Sequence, residues 1–369
     1  MYVRVDEITR CTPSISAFKL VPEGEEVLPN FTSGAHIDVH LPGGFMRQYS
    51  LYRLPSDEQS SGGNSADNFD THGDRKEASN GGDAPSCYRI AVKREPDSRG
   101  GSIAAHELEE GARLEISEPR NNFPMIRGAQ RHVFLAAGVG ITPIFEHARR
   151  LHEKGANFQV LYVAKSAEEA ALSEELKQMC PDNVEFVFGE NRRADHTAMV
   201  REVIEGPEPE QRSGGFLKRA TRKVLGKDDP ARFHGVHVYM CGPAGFMDSA
   251  RAVAREFLPD TRIHNENFHP RTSAHQEGDE PFVVEVDGEK FTIGVRETIA
   301  EVLDRHDVPV YTSCEEGTCG TCQMMVVEGA ADHRDSVFST EQHQAGRIAT
   351  CVSRAEGEKL VLRRCDQDD

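Results

Sequence analysis

Cys314-Glu315-Glu316-Gly317-Thr318-Cys319-Gly320-Thr321-Cys322 holds three thiols at C-x4-C-x2-C spacing, and Cys351 supplies a fourth further along the chain. Thiolates in this arrangement match the plant-type binding loop of a [2Fe–2S] cluster. Gly317 and Gly320 suit a loop that wraps closely round an inorganic core, because glycine tolerates positive φ and close backbone approach. Free N–H groups of such a loop can donate to the sulfurs and help set the potential. A structural zinc site also accepts four cysteines, but zinc ribbons usually present two short C-x2-C pairs. This chain has one such pair, Cys319 to Cys322. The spacing therefore reads as a one-electron carrier with metal ligands Cys314, Cys319, Cys322 and Cys351.

The sequence around the loop predicts a small mixed α+β domain over residues 281–369. Phe282–Val286 and Lys290–Ile293 alternate apolar and polar residues on either side of Asp287-Gly288, a strong hairpin signal. A helix is expected over Ile299–His306 and a strand over Val308–Tyr311, with later strands at Gln323–Val327 and Lys359–Leu362. His333 has no partner thiol at Rieske spacing and reads as structural. Upstream, His269–Pro281 is polar, holds two prolines, and reads as a linker.

Between residues 128 and 270 apolar strands and helices alternate. His132–Ala137 precedes Gly138-Val139-Gly140-Ile141-Thr142-Pro143 and a helix Ile144–Lys154. Gln159–Ala164, a helix around Glu168–Met179, and Val184–Phe188 follow. Then come His237–Met240, the turn Cys241-Gly242-Pro243, and a helix Ala244–Phe257. Such alternation implies a doubly wound parallel α/β sheet, with its ligand crevice at the strand C-terminal ends. The G-x-G lacks the third glycine of the dinucleotide fingerprint and is weak by itself. Residues 205–234 read as an insertion, whose Lys218, Arg219, Arg222 and Lys223 fit a solvated helix face or a docking patch.

Residues 1–127 read as short strands separated by turns, which favours an antiparallel β-barrel. Ser56–Ser86 contains one aromatic residue and no Leu, Ile or Val, so it reads as a disordered insertion. Two motifs stand out: Arg47-Gln48-Tyr49-Ser50-Leu51 on a strand, and Ser98-Arg99-Gly100-Gly101-Ser102 before a helical stretch Ile103–Glu110. A Gly-Gly-Ser turn opening a helix offers N–H groups to a phosphate, although Ser102 could simply be an N-cap.

Taken together, R-x-Y-S-L, V-K-R and G-G-S resemble the flavin domain of the phthalate dioxygenase reductase and vanillate demethylase reductase family. That family lies within the ferredoxin–NADP reductase superfamily. The resemblance implies FMN held by Arg47, Tyr49, Ser50, Leu51, Ala91, Lys93, Gly101 and Ser102. FMN is implied rather than FAD, because an additional adenine-stacking aromatic is not evident. G-V-G-I-T-P and C-G-P match the nucleotide half of the superfamily. They imply that Gly138, Gly140, Thr142 and Pro143 line the dinucleotide, with Cys241, Gly242 and Pro243 beside the nicotinamide. Glu266 and Phe268 resemble the stretch in which a carboxylate and an aromatic meet the flavin. The last domain resembles the plant-type ferredoxin (β-grasp) fold, including Gly329–Asp335. One departure is Lys165-Ser166, where many relatives carry an arginine facing the adenosine ribose; lysine keeps the charge but loses the bidentate fork. Arg192-Arg193 could instead receive a 2′-phosphate, so NADH is expected with NADPH left open.

The net charge of −18 argues against nucleic-acid binding. From Glu277 to Asp369 there are 21 acidic and 9 basic side chains, so −12 of the charge lies in the last domain. That could steer a basic redox partner, or merely solvate the surface. The sequence shows no membrane span and no signal-peptide core, and the remaining five cysteines form no disulfide-like framework. A cytoplasmic, non-membrane protein is expected. Pyridine nucleotides deliver two electrons together while the cluster accepts one, so a flavin must stand between them. The expected function is the reductase component of a two-component Rieske-type oxygenase, with no covalent or acid–base catalytic residue. The alternatives are a reductase for another one-electron acceptor, such as a haem monooxygenase, a stand-alone diaphorase, or a cluster-based redox sensor.

Overall fold

A computed structural model describes residues 1–58, 84–96, 100–189, 192–206, 233–268, 274–312 and 314–365. They form two compact units, Met1–Phe45 with Tyr49–Asn265, and Glu266–Asp369 with Met46–Gln48. The antiparallel barrel, the parallel α/β sheet and the small mixed sheet expected from the sequence are all present.

The barrel is built from β1 (Tyr2–Arg10), β2 (Ile15–Pro22), β3 (Ala35–Leu41), β4 (Phe45–Ser50), β5 (Tyr88–Lys93), β6 (Arg113–Ile116) and β7 (Arg120–Asn121). Strand order is β4-β3-β6-β1-β2-β5, with β7 paired to β3. Alternating side chains fill the interior, among them Val3, Val5, Phe18, Leu20, Ile37, Val39, Leu114 and Ile116. The two ends of the strand order meet just past β4. Tyr52 bridges to Arg89 on β5, and its N–H donates to the Arg89 carbonyl at 3.1 Å. β4 ends at Ser50, and the chain soon turns into a short helix, α1 (Pro55–Glu58).

That helix corrects the start of the expected insertion. Asp57 accepts the Leu54 N–H at 2.9 Å and pairs with the largely buried Arg89 guanidinium at 2.9 Å. Residues 56–58 are therefore ordered and belong to the barrel seam. The middle of the expected 56–86 insertion, most of the 205–234 insertion, and Ser98 and Arg99 lie outside the described residues.

The second sheet runs β10-β9-β8-β11-β12, from β8 (Arg131–Ala137), β9 (Phe158–Ala164), β10 (Val184–Phe188), β11 (Val236–Cys241) and β12 (Ile263–Glu266). The pairs β8/β9, β9/β10 and β8/β11 are parallel. Period-two alternation sorts β8 between two faces. Val133, Leu135 and Ala137 pack with Val200, Val203 and Ile204 of α5 (Arg192–Glu205) and Met247, Ala250 and Val253 of α6 (Ala244–Ala254). Phe134 instead stacks on His147 of α3 (Ile141–Glu153), with ring centroids 5.6 Å apart. The helix expected around Glu168–Met179 is shorter. A 3-10 turn covers Ala167–Glu169, Leu172 takes φ +59°, and α4 spans only Ser173–Met179. Arg192 and Arg193 open α5.

The third sheet runs β14-β13-β19-β15-β17, from β13 (Phe282–Val286), β14 (Glu289–Ile293), β15 (Gln323–Glu328), β17 (Arg347–Ala349) and β19 (Lys359–Arg364). β16 (Ala331–Asp332) and β18 (Arg354–Ala355) form a separate pair. The hairpin turn Asp287-Gly288 takes φ +53° and +85°, as a two-residue type I′ turn requires. Ile299, Val302 and Leu303 of α7 (Ile299–Arg305) pack onto this sheet. Val308–Tyr311 is not a strand; it passes irregularly into the cysteine loop, and Tyr311 is 80% exposed. The expected linker is anchored at Asp279, which pairs with Arg334 at 2.6 Å and Arg354 at 3.6 Å. Arg334 holds the Asp279 carboxyl well below its usual range, at about 2.

Candidate functional site

The four cysteines converge in the second unit. Cys314, Cys319, Cys322 and Cys351 are 8%, 7%, 2% and 4% exposed, and none is in a disulfide. Their sulfurs hydrogen-bond to one another. Cys319 and then Cys351 hold the Cys314 thiol down in the thiolate range, while Cys314 pushes Cys319 and Cys351 up. Four buried thiolates this close require a cationic core to offset their repulsion, and a coordinating metal deprotonates thiols outright. The donor set fits a [2Fe–2S] core.

The backbone of the loop is shaped for that role. Amides of Glu316 and Thr318 donate to Cys314 Sγ at 3.4 Å, and the Thr321 amide donates to Cys319 Sγ at 3.4 Å. Gly317 takes φ +68°, and a Cβ there would meet Val352 Cγ2 at 2.6 Å and Asp335 Cα at 2.9 Å. No other residue suits that position. The fourth ligand is brought in by β17, which pairs with β15 directly after Cys322. Thr350 Oγ1 donates to the Cys322 carbonyl at 2.8 Å, tying the two ligand segments together.

In the first unit the two nucleotide motifs meet. Gly138–Gly140 forms a 3-10 turn between β8 and α3. A Cβ on Gly140 would lie 2.5 Å from the Cys241 carbonyl carbon and 2.7 Å from the Gly242 nitrogen. Glycine is thus what lets the G-V-G-I-T-P turn lie against C-G-P. The parallel register places Cys241 beside Ala136 at the C-terminal ends of the central strands, where such sheets bind ligands. Thr142 is buried, its hydroxyl donating to the Val139 carbonyl at 3.1 Å; Pro143 follows in the first turn of α3. Pro243 caps α6, and Cys241 is fully buried, as a small apolar thiol in a tight turn. Sequence reasoning missed Tyr162, whose hydroxyl donates to the Gly138 carbonyl at 3.0 Å. A tyrosine in an apolar strand gives no signal of that partner.

The flavin-motif residues lie at the barrel seam. Arg47, Tyr49 and Ser50 are on β4, Leu51 is buried just after it, and Ala91 and Lys93 are on β5. The Lys93 ammonium pairs with Glu95 at 2.8 Å. Gly101 and Ser102 begin α2 (Gly101–His106), and the N-cap is Gly100 at φ +103°. Ser102 is therefore no N-cap; its hydroxyl accepts the Glu95 N–H at 3.1 Å. A Cβ on Gly100 would run into the Phe45 ring, so the backbone passes very close there. Amides in the first turn of a helix have no intrahelical partner, and these fit an anionic group. Glu266 ends β12 and Phe268 follows it, both half-buried. Lys165 is exposed after β9, and its carbonyl accepts the Gly189 N–H at 3.0 Å.

A further unanticipated contact joins the barrel to α3. Glu146 is fully buried, accepts the Arg53 N–H at 3.1 Å, and pairs with Arg149 at 2.8 Å. Among the described residues no helix is long and apolar enough to cross a membrane.

Comparisons with known proteins agree with this geometry. Residues 284–356 match the 2Fe-2S iron-sulfur cluster binding domain family, and residues 134–252 match the oxidoreductase NAD-binding domain family. A vanillate O-demethylase oxidoreductase from Pseudomonas sp. (strain HR199 / DSM 7063) is 36% identical over 91% of this chain and 91% of its own length. A carnitine monooxygenase reductase subunit from Escherichia coli (strain K12) is 31% identical, covering 98% of this chain and 97% of its own. The solved structure of a phthalate dioxygenase reductase, described as modular for electron transfer from pyridine nucleotides to [2Fe-2S], superposes with TM-score 0.63 at 29% identity. It covers 98% of this chain and 97% of that one. The chain is an NAD(P)H-dependent iron–sulfur flavoprotein oxidoreductase, and it belongs to the vanillate demethylase reductase and phthalate dioxygenase reductase family.

Proposed function

We propose that this chain is the reductase component of a two-component Rieske-type oxygenase, passing electrons from NADH through FMN and the [2Fe–2S] cluster to a separate oxygenase. The observation that carries the proposal is the presence of two unlike redox sites on one chain. One is a strand-end turn where Gly140 lies against Cys241-Gly242, and the other is a buried set of four cysteines. FMN, when bound, accepts two electrons together and passes them on singly, which is the link such a pair requires.

The residues divide the work by position. Arg47, Tyr49, Ser50 and Leu51, with Ala91 and Lys93 across the seam, hold the flavin. Gly101 and Ser102 present backbone amides to its phosphate. Gly138, Gly140, Thr142 and Pro143 cradle the nucleotide, while Cys241, Gly242 and Pro243 orient its nicotinamide. Glu266 and Phe268 serve near the flavin. The amides of Glu316, Thr318 and Thr321 stabilise charge on the cluster sulfurs. No side chain is required as a covalent or acid–base catalyst. We take residues 1–127, 128–270 and 281–369 as the flavin, nucleotide and ferredoxin domains, with Asp279 anchoring the last.

Three measurements test this reading. Acid release should yield FMN, and FAD would refute that assignment. Steady-state kcat/KM should favour NADH, and a preference for NADPH would give Arg192 and Arg193 a 2′-phosphate to read. Catalytic amounts of the chain with excess NADH, under anaerobic conditions, should bleach the oxidised Rieske centre of a purified family oxygenase. Reduction of a haem oxygenase but not of the Rieske protein would transfer the role to that acceptor.

A further inference from the structure

One helix carries both the nucleotide turn and a contact with the end of the flavin strand. Gly140 is the N-cap of α3, and Thr142 and Pro143 lie in its first turn. Further along the helix, Phe145 and Glu146 reach the segment that directly follows R-x-Y-S-L. The Phe145 ring packs edge-on against Tyr52, with centroids 5.9 Å apart. Glu146 Oε2 accepts the Arg53 N–H at 3.1 Å. At the rise of a helix, Glu146 lies about 9 Å along the axis from Gly140. At the rise of a strand, Arg53 lies about 10 Å of chain from Ser50. A single carboxylate thus links the two motifs over short, stiff stretches.

Tyr52 and Arg53 are held from both sides. The Tyr52 N–H donates to the Arg89 carbonyl at 3.1 Å, on the barrel side, while the next amide, that of Arg53, is taken by α3. The Arg53 guanidinium lies over the Phe31 ring, 4.1 Å from its centroid.

The chemistry of the contact is more than packing requires. Glu146 and Arg149 are both buried. Arg149 grips the carboxylate with two nitrogens, Nη2 to Oε1 at 2.8 Å and Nε to Oε2 at 2.9 Å. It also pairs with Glu153. Burying two charges carries a desolvation penalty, and well-packed apolar residues often replace a buried ion pair without loss of stability. What the pair supplies beyond packing is an oriented, charged acceptor. The guanidinium fork sets the plane of the carboxylate, and Oε2 also accepts the Arg53 N–H in a charge-assisted hydrogen bond.

We propose that Glu146, oriented by Arg149, is a positioning residue for hydride transfer, tying the end of the flavin strand to the nucleotide helix and so holding nicotinamide and flavin in register. In that step NADH gives up a hydride, two electrons and one proton, and becomes NAD+ as the flavin is reduced. Glu146 exchanges neither proton nor electron. The effect on rate rests on the FMN reading given above; the tether does not. Displacing reacting centres by ~1 Å can cost about 100-fold in rate, so a tether of this kind has leverage.

Removing Glu146 alone would strand the buried Arg149 guanidinium, so paired variants of the full-length holoprotein make the test. Glu146→Leu with Arg149→Met removes both the ion pair and the acceptor. Glu146→Gln with Arg149→Met removes the same charges but keeps an amide oxygen for the Arg53 N–H. Anaerobic stopped-flow reduction of the bound flavin by NADH gives a limiting rate and a half-saturating concentration. At equal flavin content, the Leu–Met protein should show a limiting rate at least ~10-fold below the parent, with half-saturation within about twofold. The Gln–Met protein should recover to within about threefold of the parent rate. Hydrogen exchange in the peptide that holds Arg53 should be faster in the Leu–Met protein than in the other two. A parent-like rate in the Leu–Met protein, or equal losses in both variants, would overturn the positioning role. So would an effect confined to half-saturation, which belongs to nucleotide binding, or a Leu–Met protein that does not fold, which would make the pair structural. A parent without NADH-reducible flavin would overturn the rate effect together with the function proposed above, while exchange at Arg53 would still decide the tether.

Discussion

The cysteine loop and the nucleotide turn solve the same problem, a close approach of backbone to a cofactor, in opposite ways. The first is nearly continuous in sequence. Three ligands fall within nine residues, and the curvature comes from Gly317 at φ +68°, Gly320 at φ +74° and Glu315 at φ +55°. The second is assembled from distant stretches, since Gly140 reaches Cys241 only because β8 and β11 are parallel neighbours. A local site depends on its own backbone angles, whereas an assembled one depends on strand register.

Crossed glycine substitutions break this comparison with the largest expected effect. Gly317→Ala faces both a positive φ and a Cβ 2.6 Å from Val352. It should lose most of its cluster absorption while NADH still reduces the flavin. Gly140→Ala has no positive φ but drives a Cβ into the Cys241 backbone. It should lower kcat/KM for NADH ~100-fold, equivalent to about 2.7 kcal/mol, and leave the dithionite-reduced cluster spectrum unchanged. Loss of the cluster in Gly140→Ala would mean that the two sites are not separable.

What the sequence revealed follows the same division. The cysteine ligands were legible because spacing alone is diagnostic, and the hairpin at Asp287-Gly288 because its turn chemistry is local. The meeting of G-V-G-I-T-P with C-G-P was legible only through family resemblance. Partners chosen by tertiary packing left no trace. Asp57 sits in a polar stretch that reads as an insertion, yet it neutralises Arg89; Tyr162 pins Gly138; Glu146 joins barrel to helix. Val308–Tyr311 has strand composition but finds no neighbouring edge to pair with. His333 gave no hint of His343, because stacking across ten residues depends on where the helix Thr340–Gln344 ends up.

An intermediate effect is expected in acid. Burial lowers His147 to about 3 and His132 to about 4, against about 6.5 when unfolded. The unfolded chain therefore binds more protons in this window, so stability falls as pH drops from about 6.5 towards 4. His132 lies on β8 and His147 on α3, both in the nucleotide-binding region, and the mixed-sheet unit carries neither. Flavin release should precede cluster loss in thermal scans at pH 5, and His147→Asn should reduce the acid sensitivity. Equal acid sensitivity of the parent and His147→Asn proteins would contradict this account.

The smallest effect should come from removing residues 60–82 and closing the gap with a short Gly-Ser turn. Asp57 stays in place to pair with Arg89, and closure entropy depends only logarithmically on loop length. Turnover should stay within about twofold of the parent. Extending the deletion to Asp57 should cost much more, because breaking a buried pair by removing one partner is worth about 3–5 kcal/mol. Flavin loss in the shorter deletion would show that the segment contributes to the flavin site.

The central claim, that electrons pass from the flavin to a protein acceptor only through the cluster, is tested most directly by Cys322→Ser. NADH-dependent reduction of a dye that accepts from flavin is compared with reduction of cytochrome c, at verified FMN occupancy. Dye reduction should persist near the parent rate, and cytochrome c reduction should fall to a small residue. Surviving cytochrome c reduction, or a parallel collapse of dye reduction with FMN fully bound, would contradict the order NADH, FMN, cluster, partner.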